Sequence, residues 1–278
     1  MSPPPPVACT VAGSDPSAGA GIQADLKAFA ACGVYGATVV TAVTVQSTLG
    51  VGAVHPVPAA IVAEQIDAVA GDLAPAAWKT GMLGGAELVA TVAARLRHHG
   101  ALNIVVDPVM RSTSGRPLLS AGGVAALRST LLPLATVLTP NLEEAAALLR
   151  RPVADLAGAR EAARALCALG PRVVVVTGGH LPGDRVVDAV FDVEAGVTLE
   201  LDHPRVPGPG THGTGCTLSA AIAAFLARGT SPLDAVTSAR AYLQVALLRA
   251  PGLGAGSGPL GHLAVEPAAV VRAPLGAR

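Results

Sequence analysis

Three groups of residues in this 278-residue chain have types and spacings that could do chemistry. The first is His212-Gly213-Thr214-Gly215-Cys216, which follows a Pro/Gly-rich loop ending in Thr211 and precedes a helical pattern. Glycines let backbone N–H groups converge, and a helix N-terminus adds unpaired donors and roughly half a positive charge. Such a cradle suits charge developing on a transferring phosphate; the plainer reading is an ordinary helix start. Cys216 sits in that field, which would lower a thiol's pKa and favour the thiolate, although a small buried residue would also fit there. Cys9, Cys32 and Cys167 fall within apolar strand or helix patterns and read as packing. The second group is acidic. Asp107 closes the run NIVVD, and Glu144 follows TPNLE. Carboxylates beside a phosphate cradle would hold Mg²⁺, usually through water; singly, each also fits a cap or turn.

The third group is Gly19-Ala20-Gly21-Ile22-Gln23-Ala24, a GxGxxA string between a strand pattern and a helix pattern. A dinucleotide site would need an acid at the end of the next strand to hold the ribose. No Asp or Glu occurs between Asp25 and Glu64, and that strand ends in Thr44-Val45-Gln46. An amide offers a donor and an acceptor, which suits the edge of a heterocycle better than a diol. A glycine turn for tight strand–helix packing is the plainer reading of the string itself. No GxxxxGK[ST] and no GxSxG is present, which argues against a P-loop and against the usual α/β-hydrolase elbow.

The elements that must position these groups alternate. Strand patterns lie at 7–12, 37–46, 76–80, 103–109, 136–139 and 172–177. Helix patterns lie at 21–32, 58–71, 86–98, 121–130, 142–150, 156–169, 214–228 and 232–249. β-Branched runs alternating with helices predict a parallel sheet covered on both faces, with its active site at the carboxyl ends of the strands. Residues 186–203 break the alternation: two apolar runs flank Glu194-Ala195-Gly196, a hairpin that adds an antiparallel edge. One domain is expected, with a core over about 7–249 and a mobile Gly/Pro-rich tail from about 251 to 264.

The composition is 51% hydrophobic with mean hydropathy +0.54, enough for a sizeable core, but only 2% aromatic, so Ala, Val and Leu must fill it. A formal net charge of zero and the scarcity of aromatics argue against nucleic-acid binding. No uninterrupted apolar run reaches the ~18 residues of a membrane span. The opening MSPPPP lacks the positive segment of a signal peptide. The cysteines form no CxxC and no zinc spacing, and no histidine stands out as a metal ligand, so a cytoplasmic protein with free thiols is expected.

Taken together and in order, these residues resemble the hydroxymethylpyrimidine/phosphomethylpyrimidine kinases of thiamine synthesis. The matching strings are Ala12–Ser17 with Gly19–Lys27, Thr41–Gln46, Lys79–Leu83, Asp107–Met110, Thr139–Ala145, Gly178–His180 and His212–Cys216. The resemblance spans about 7–249 and implies a ribokinase-like, three-layer α/β/α sandwich, commonly a homodimer, that uses ATP and Mg²⁺. It implies that Gln46, Gly13, Asp25, Val109 and Met82 contact the pyrimidine. It places Gly213, Thr214, Gly215 and Cys216 at the anion hole, with Cys216 as catalytic base. It puts Asp107, Asn141, Glu144, Thr177, Gly179 and His212 at the nucleotide, with Asp107 and Glu144 near the metal. Two departures stand out. Thr177 occupies a position where members often carry Lys, and Ser112-Thr113-Ser114-Gly115-Arg116 replaces a Lys-bearing flap, leaving Arg111 or Arg116 to supply the charge. The rival readings are a pyridoxal-type kinase of the same superfamily and a non-catalytic pyrimidine-binding relative.

Overall fold

The computed structural model describes residues 3–208, 210 and 212–264. Thr211 and the chain beyond 264 lie outside the described residues. Nine strands form one sheet in the order β3-β2-β1-β4-β5-β6-β7-β8-β9. The parallel centre is β2 (Tyr35–Ser47), β1 (Val7–Ser14), β4 (Ala77–Thr80), β5 (Ile104–Val106), β6 (Val137–Leu138) and β7 (Val173–Val176). β8 (Arg185–Asp192) and β9 (Val197–Pro204) form the expected antiparallel edge hairpin.

Strand periodicity sends alternate residues to opposite faces, and both faces are covered. Ile104, Val106, Val174 and Val176 pack on one side with α2 (Ala59–Leu73), α3 (Ala86–His98), α5 (Leu142–Leu149) and α6 (Leu156–Cys167). Their neighbours Val105, Val173 and Val175 pack on the other with α1 (Gly21–Ala31), α7 (Thr214–Ala227) and α8 (Pro232–Leu248). Small side chains dominate the second layer. Ala220, Ala221, Ala223 and Ala224 of α7 are wholly buried, so this helix sits between the sheet and its neighbours.

Three expectations are corrected. β3 (Gly50–Pro56) adds a second antiparallel edge, paired to β2, that the pattern at 37–46 did not reveal. Its two glycines and half-exposed edge position leave little apolar alternation to read. The helix expected at 121–130 is α-helical only over α4 (Ala121–Ala126), then winds on as a π turn and a 3₁₀ turn to Leu134. The segment from 251 to 264 is not a loose tail. Ser257 N donates to Thr48 O (2.9 Å), Gly261 N to Ala246 O (3.0 Å), and His262 Nε2 lies 2.8 Å from Thr217 Oγ1. It forms a strap that runs past the tip of the β2–β3 hairpin and back onto α7 and α8.

Candidate active site

The carboxyl ends of β1, β2, β4, β5, β6 and β7 all open on one side of the sheet, where a cavity of about 540 Å³ lies against the start of α7. β2 and β7 are five strand steps apart, so the cavity spans on the order of 24 Å. It has room for two ligands end to end.

At the β1–β2 end, Gly13, Gln46, Met82 and Val109 line the wall. Met82 is fixed by its backbone carbonyl, which accepts from Thr41 Oγ1 (2.7 Å). A side chain at position 13 would come within 3.2 Å of Met82 Sδ. Asp15 and His212 complete this end. The Asp15 carboxylate accepts from the N–H groups of Ser17, Gly19 and Ala20 (2.9, 3.1 and 2.9 Å). Burial alone would raise its pKa, but bonds from His212, Ser17 and Ala20 outweigh that and hold it at about 2. His212, which the resemblance assigned to the nucleotide, lies beside Gln46 (3.0 Å between Nε2 atoms) in this cavity.

Gly19 of the GxGxxA string packs against the loop that carries His212 and Gly213, whereas Gly21 has φ 58° and would set a Cβ 2.3 Å from Gly13 O. A Cβ at Gly19 would sit 2.4 Å from the His212 ring, and one at Gly213 would sit 1.9 Å from Gly19 O. Gly213 also has φ 79°, a left-handed conformation that disfavours any other residue. No side chain caps α7, whose N-terminal end lines the cavity and carries the partial positive charge that favours an anion.

Beneath this cradle lies a buried charge cluster. Lys79 Nζ contacts both oxygens of Asp25 (2.9 and 2.8 Å), and Thr10 Oγ1 donates to Asp25 Oδ2 (2.6 Å). Asp25 is fully buried and does not line the cavity. The expected pyrimidine contact is therefore corrected: its carboxylate is turned inward by the lysine. Burial alone would lower the Lys79 pKa, but the charges of Asp25, Cys216 and Asp107 more than reverse this and keep the ammonium charged. Burial pushes the Cys216 thiol up to about 12 despite Lys79 and an N–H bond from Gly21. The thiol is therefore raised where a lowered one was expected, because burial outweighs the Lys79 charge and the Gly21 N–H.

Asp107 follows β5, lines the cavity and accepts from Ser219 Oγ (3.1 Å). Burial raises it to about 6, against the pull of Lys79. Glu144 forms a capping box with Asn141. Asn141 N donates to Glu144 Oε2, Glu144 N donates to Asn141 Oδ1 (both 2.9 Å), and Met110 N reaches Glu144 Oε1 (3.3 Å). Burial and the Asp107 charge push Glu144 to about 8. Thr139 Oγ1, buried in the same wall, has no hydrogen-bond partner. Two carboxylates whose charge burial disfavours and an orphaned hydroxyl fit a hard divalent cation. No group of three or more His, Cys, Asp or Glu gathers among the described residues, so such an ion would take water and phosphate oxygens as well, as Mg²⁺ does.

At the β7 end, Thr177 and Gly179 line the cavity. Arg205, which no sequence motif marked, donates to the carbonyls of Gly179, Leu181 and Gly183 and holds that loop. Behind it, Arg240 Nε pairs with the buried Asp188 (2.8 Å), whose other oxygen accepts from Gly178 N (2.8 Å). Over the mouth, Arg116 donates to Val51 O and Gly52 O on β3, and Arg111, which lines the cavity, donates to Gly115 O (3.1 Å).

Comparison with known proteins adds to this geometry. Residues 15–261 match the phosphomethylpyrimidine kinase family. The chain is 50% identical over 259 residues to a hydroxymethylpyrimidine/phosphomethylpyrimidine kinase of Rhizobium meliloti, covering 92% of this chain and 96% of that one. Among solved structures, a phosphomethylpyrimidine kinase of Clostridium difficile is similar at 37% identity and TM-score 0.77, covering 87% of this chain and 99% of that one. The pyridoxal kinase of Staphylococcus aureus in complex with AMP-PCP and pyridoxal is similar at 34% identity and TM-score 0.86, covering 94% and 95%.

Proposed function

Because the chain belongs to the phosphomethylpyrimidine kinase family, we propose that it phosphorylates 4-amino-5-hydroxymethyl-2-methylpyrimidine with ATP, and then phosphorylates the monophosphate, in thiamine biosynthesis. The observation that carries this reading is the meeting of two surfaces in one cavity. A heterocycle wall of Gly13, Gln46, Met82 and Val109 faces the uncapped start of α7. The hydroxymethyl oxygen attacks the γ-phosphorus in line, the bond to the bridging oxygen breaks, and ADP leaves. Such transfer depends mainly on positioning and charge stabilisation. The amides of Gly213–Cys216 hold the transferring group, and Asn141, Thr177 and Gly179 lie along the triphosphate. Asp107 and Glu144 would hold Mg²⁺, which neutralises phosphate charge when bound.

Cys216 accepts the alcohol proton in the first transfer. It starts as a thiol, so its own proton must first pass to solvent water, a loss that the ammonium of Lys79 favours. In the second transfer the nucleophile is a phosphate oxygen, already largely ionised because its second pKa is ~6, and the need for a base is smaller. Arg111 takes the place of the missing flap lysine at the mouth.

Residues 1–278 act as one kinase domain, which a single continuous sheet supports. The β2–β3 edge exposes Tyr35, Val43 and Val45, an apolar face suited to a second copy in a homodimer. Four unpaired thiols and the use of ATP fit the cytoplasm, and no helix among the described residues is long and apolar enough to cross a membrane.

The test is product analysis after incubation with Mg-ATP and the pyrimidine, its monophosphate, or pyridoxal in parallel. Pyrimidine diphosphate from the first two substrates is expected. Product from pyridoxal alone would replace this reading with the pyridoxal kinase one.

A further inference from the structure

The hydrogen bonds around His212 contain a conflict that only one arrangement resolves. His212 Nε2 lies 3.1 Å from Asp15 Oδ2 and 3.0 Å from Gln46 Nε2. An ionised carboxylate only accepts and an amide nitrogen only donates. If His212 Nε2 carries a proton, it satisfies Asp15 but meets the N–H groups of Gln46. If it carries none, it satisfies Gln46 but sets a lone pair against the carboxylate. Asp15 settles the choice, because three backbone N–H groups and Ser17 Oγ also point at it and keep it an acceptor.

Which end of an amide is oxygen is decided by such networks. Turning the Gln46 amide by half a turn makes every contact favourable. His212 Nε2–H then serves Asp15 Oδ2 and Gln46 Oε1 together. The Gln46 NH₂ donates to Thr44 Oγ1, at the atom position now 3.1 Å from it. Thr44 Oγ1 is free to accept because its own hydrogen goes to Ser14 O (2.9 Å). His212 Nδ1, left as an acceptor, takes the hydroxyl of Thr113 on the flap (3.3 Å).

We propose that His212, held by Asp15, fixes the direction of the Gln46 amide, so that the pocket reads the order of donor and acceptor along the substrate's ring edge. His212 is a positioning residue here. The inference rests on the reading above that Gln46 meets the aminopyrimidine. A 4-aminopyrimidine edge presents a ring-nitrogen acceptor beside an amino donor. Its 4-oxo counterpart presents a ring N–H beside a carbonyl, and at the same ring position it needs the amide reversed. An amide locked at both ends therefore rejects the oxo compound, whereas a freed amide can turn to meet it.

The experiment measures kcat and KM for 4-amino-5-hydroxymethyl-2-methylpyrimidine and its 4-oxo counterpart. It compares wild type with His212→Asn, which cannot reach the Nε2 position, and His212→Gln, which can place an N–H there. Wild type should prefer the amino compound by at least about 10²-fold. In His212→Asn, KM for the amino compound should rise on the order of tenfold or more, and the amino/oxo ratio of kcat/KM should fall at least about tenfold. His212→Gln should keep the ratio within about threefold of wild type. A fall in activity for His212→Asn with an unchanged ratio would mean that the residue is only structural, and would overturn the inference. Should His212→Asn not fold, Thr44→Val removes the other anchor of the same amide, and an unchanged ratio there overturns it equally. Wild type inactive on the amino compound would overturn the proposed substrate instead, before any variant is compared.

Discussion

Replacing Lys79 by Met separates the buried charge cluster from the rest of the fold in a way that can be measured. Lys79 and Asp25 are both wholly buried, and the ammonium contacts both carboxylate oxygens at under 3 Å. Met fills a similar volume, so little cavity forms. What remains is a carboxylate with a single partner, the Thr10 hydroxyl. Burial already raises the Asp25 pKa against the charge of Lys79, and without that charge it drives the pKa further up. If the group titrates near pH 7, it lies about three units above its ordinary value of ~3.9, and at 1.36 kcal/mol per unit the cost is about 4 kcal/mol. Breaking a buried pair by removing one partner typically costs a similar ~3–5 kcal/mol.

The pH dependence has a definite sign. In the variant, the folded pKa of Asp25 exceeds the unfolded one. The penalty is therefore absent below the unfolded value of ~4 and grows as pH rises toward the folded value. Urea unfolding of wild type and Lys79→Met should show a deficit of about 4 kcal/mol at pH 8 that shrinks to under about 1 kcal/mol at pH 4.5. The double variant Lys79→Met/Asp25→Asn should recover more than half of the loss at pH 8. A deficit that does not vary with pH, or a double variant no more stable than the single one, would refute the reasoning.

Three further outcomes are expected. Cys216→Ala should slow the first phosphoryl transfer toward the lower end of the ~10²–10⁴-fold typical of a general base, and slow the second less; equal losses in single-turnover assays of the two steps would remove Cys216 as the base. Gly213→Ala must place a Cβ against Gly19 O in a left-handed conformation, so it should abolish detectable transfer and lower stability by more than about 1–2 kcal/mol in urea unfolding; a normally active variant would mean that the two loops do not interlock. Burial holds His262 down to about 4, below its unfolded value of ~6.5, so stability should fall as pH drops from 6.5 to 4, by up to about 3 kcal/mol; His262→Gln should flatten that slope, and an unchanged slope would mean that the strap's histidine does not titrate as described.

Much of this protein could be read from its residues. The β-branched runs at 7–12, 103–109 and 172–177 gave the parallel core because a strand buried on both faces must be apolar throughout. The hairpin turn at Glu194-Ala195-Gly196 marked one antiparallel edge. Gln46, Asp107 and the His212–Cys216 string were recognisable, since each sits next to a strand end or a helix start where local pattern is strongest, and the family resemblance added Met82. The structure brings them all to the same cavity.

Other features had no local signal. β3 is a strand because β2 offers it an edge, and its glycines hide that. The strap from 251 to 264 looks loose in composition, yet it is tied by contacts to Thr48, Thr217 and Ala246, more than a hundred residues away for Thr48. Asp25 was given to the substrate, and Cys216 was expected to be a thiolate. The first fails because Lys79 turns the carboxylate inward and the second because burial raises the thiol, and neither the 54-residue separation of Asp25 from Lys79 nor the burial is visible in a string. Sequence alone determined which residues stand at the ends of the strands, since periodicity and glycine placement act within a few residues. Only the tertiary structure decided which charges meet, because the dielectric surroundings and partner of an ionisable group are set by segments distant along the chain.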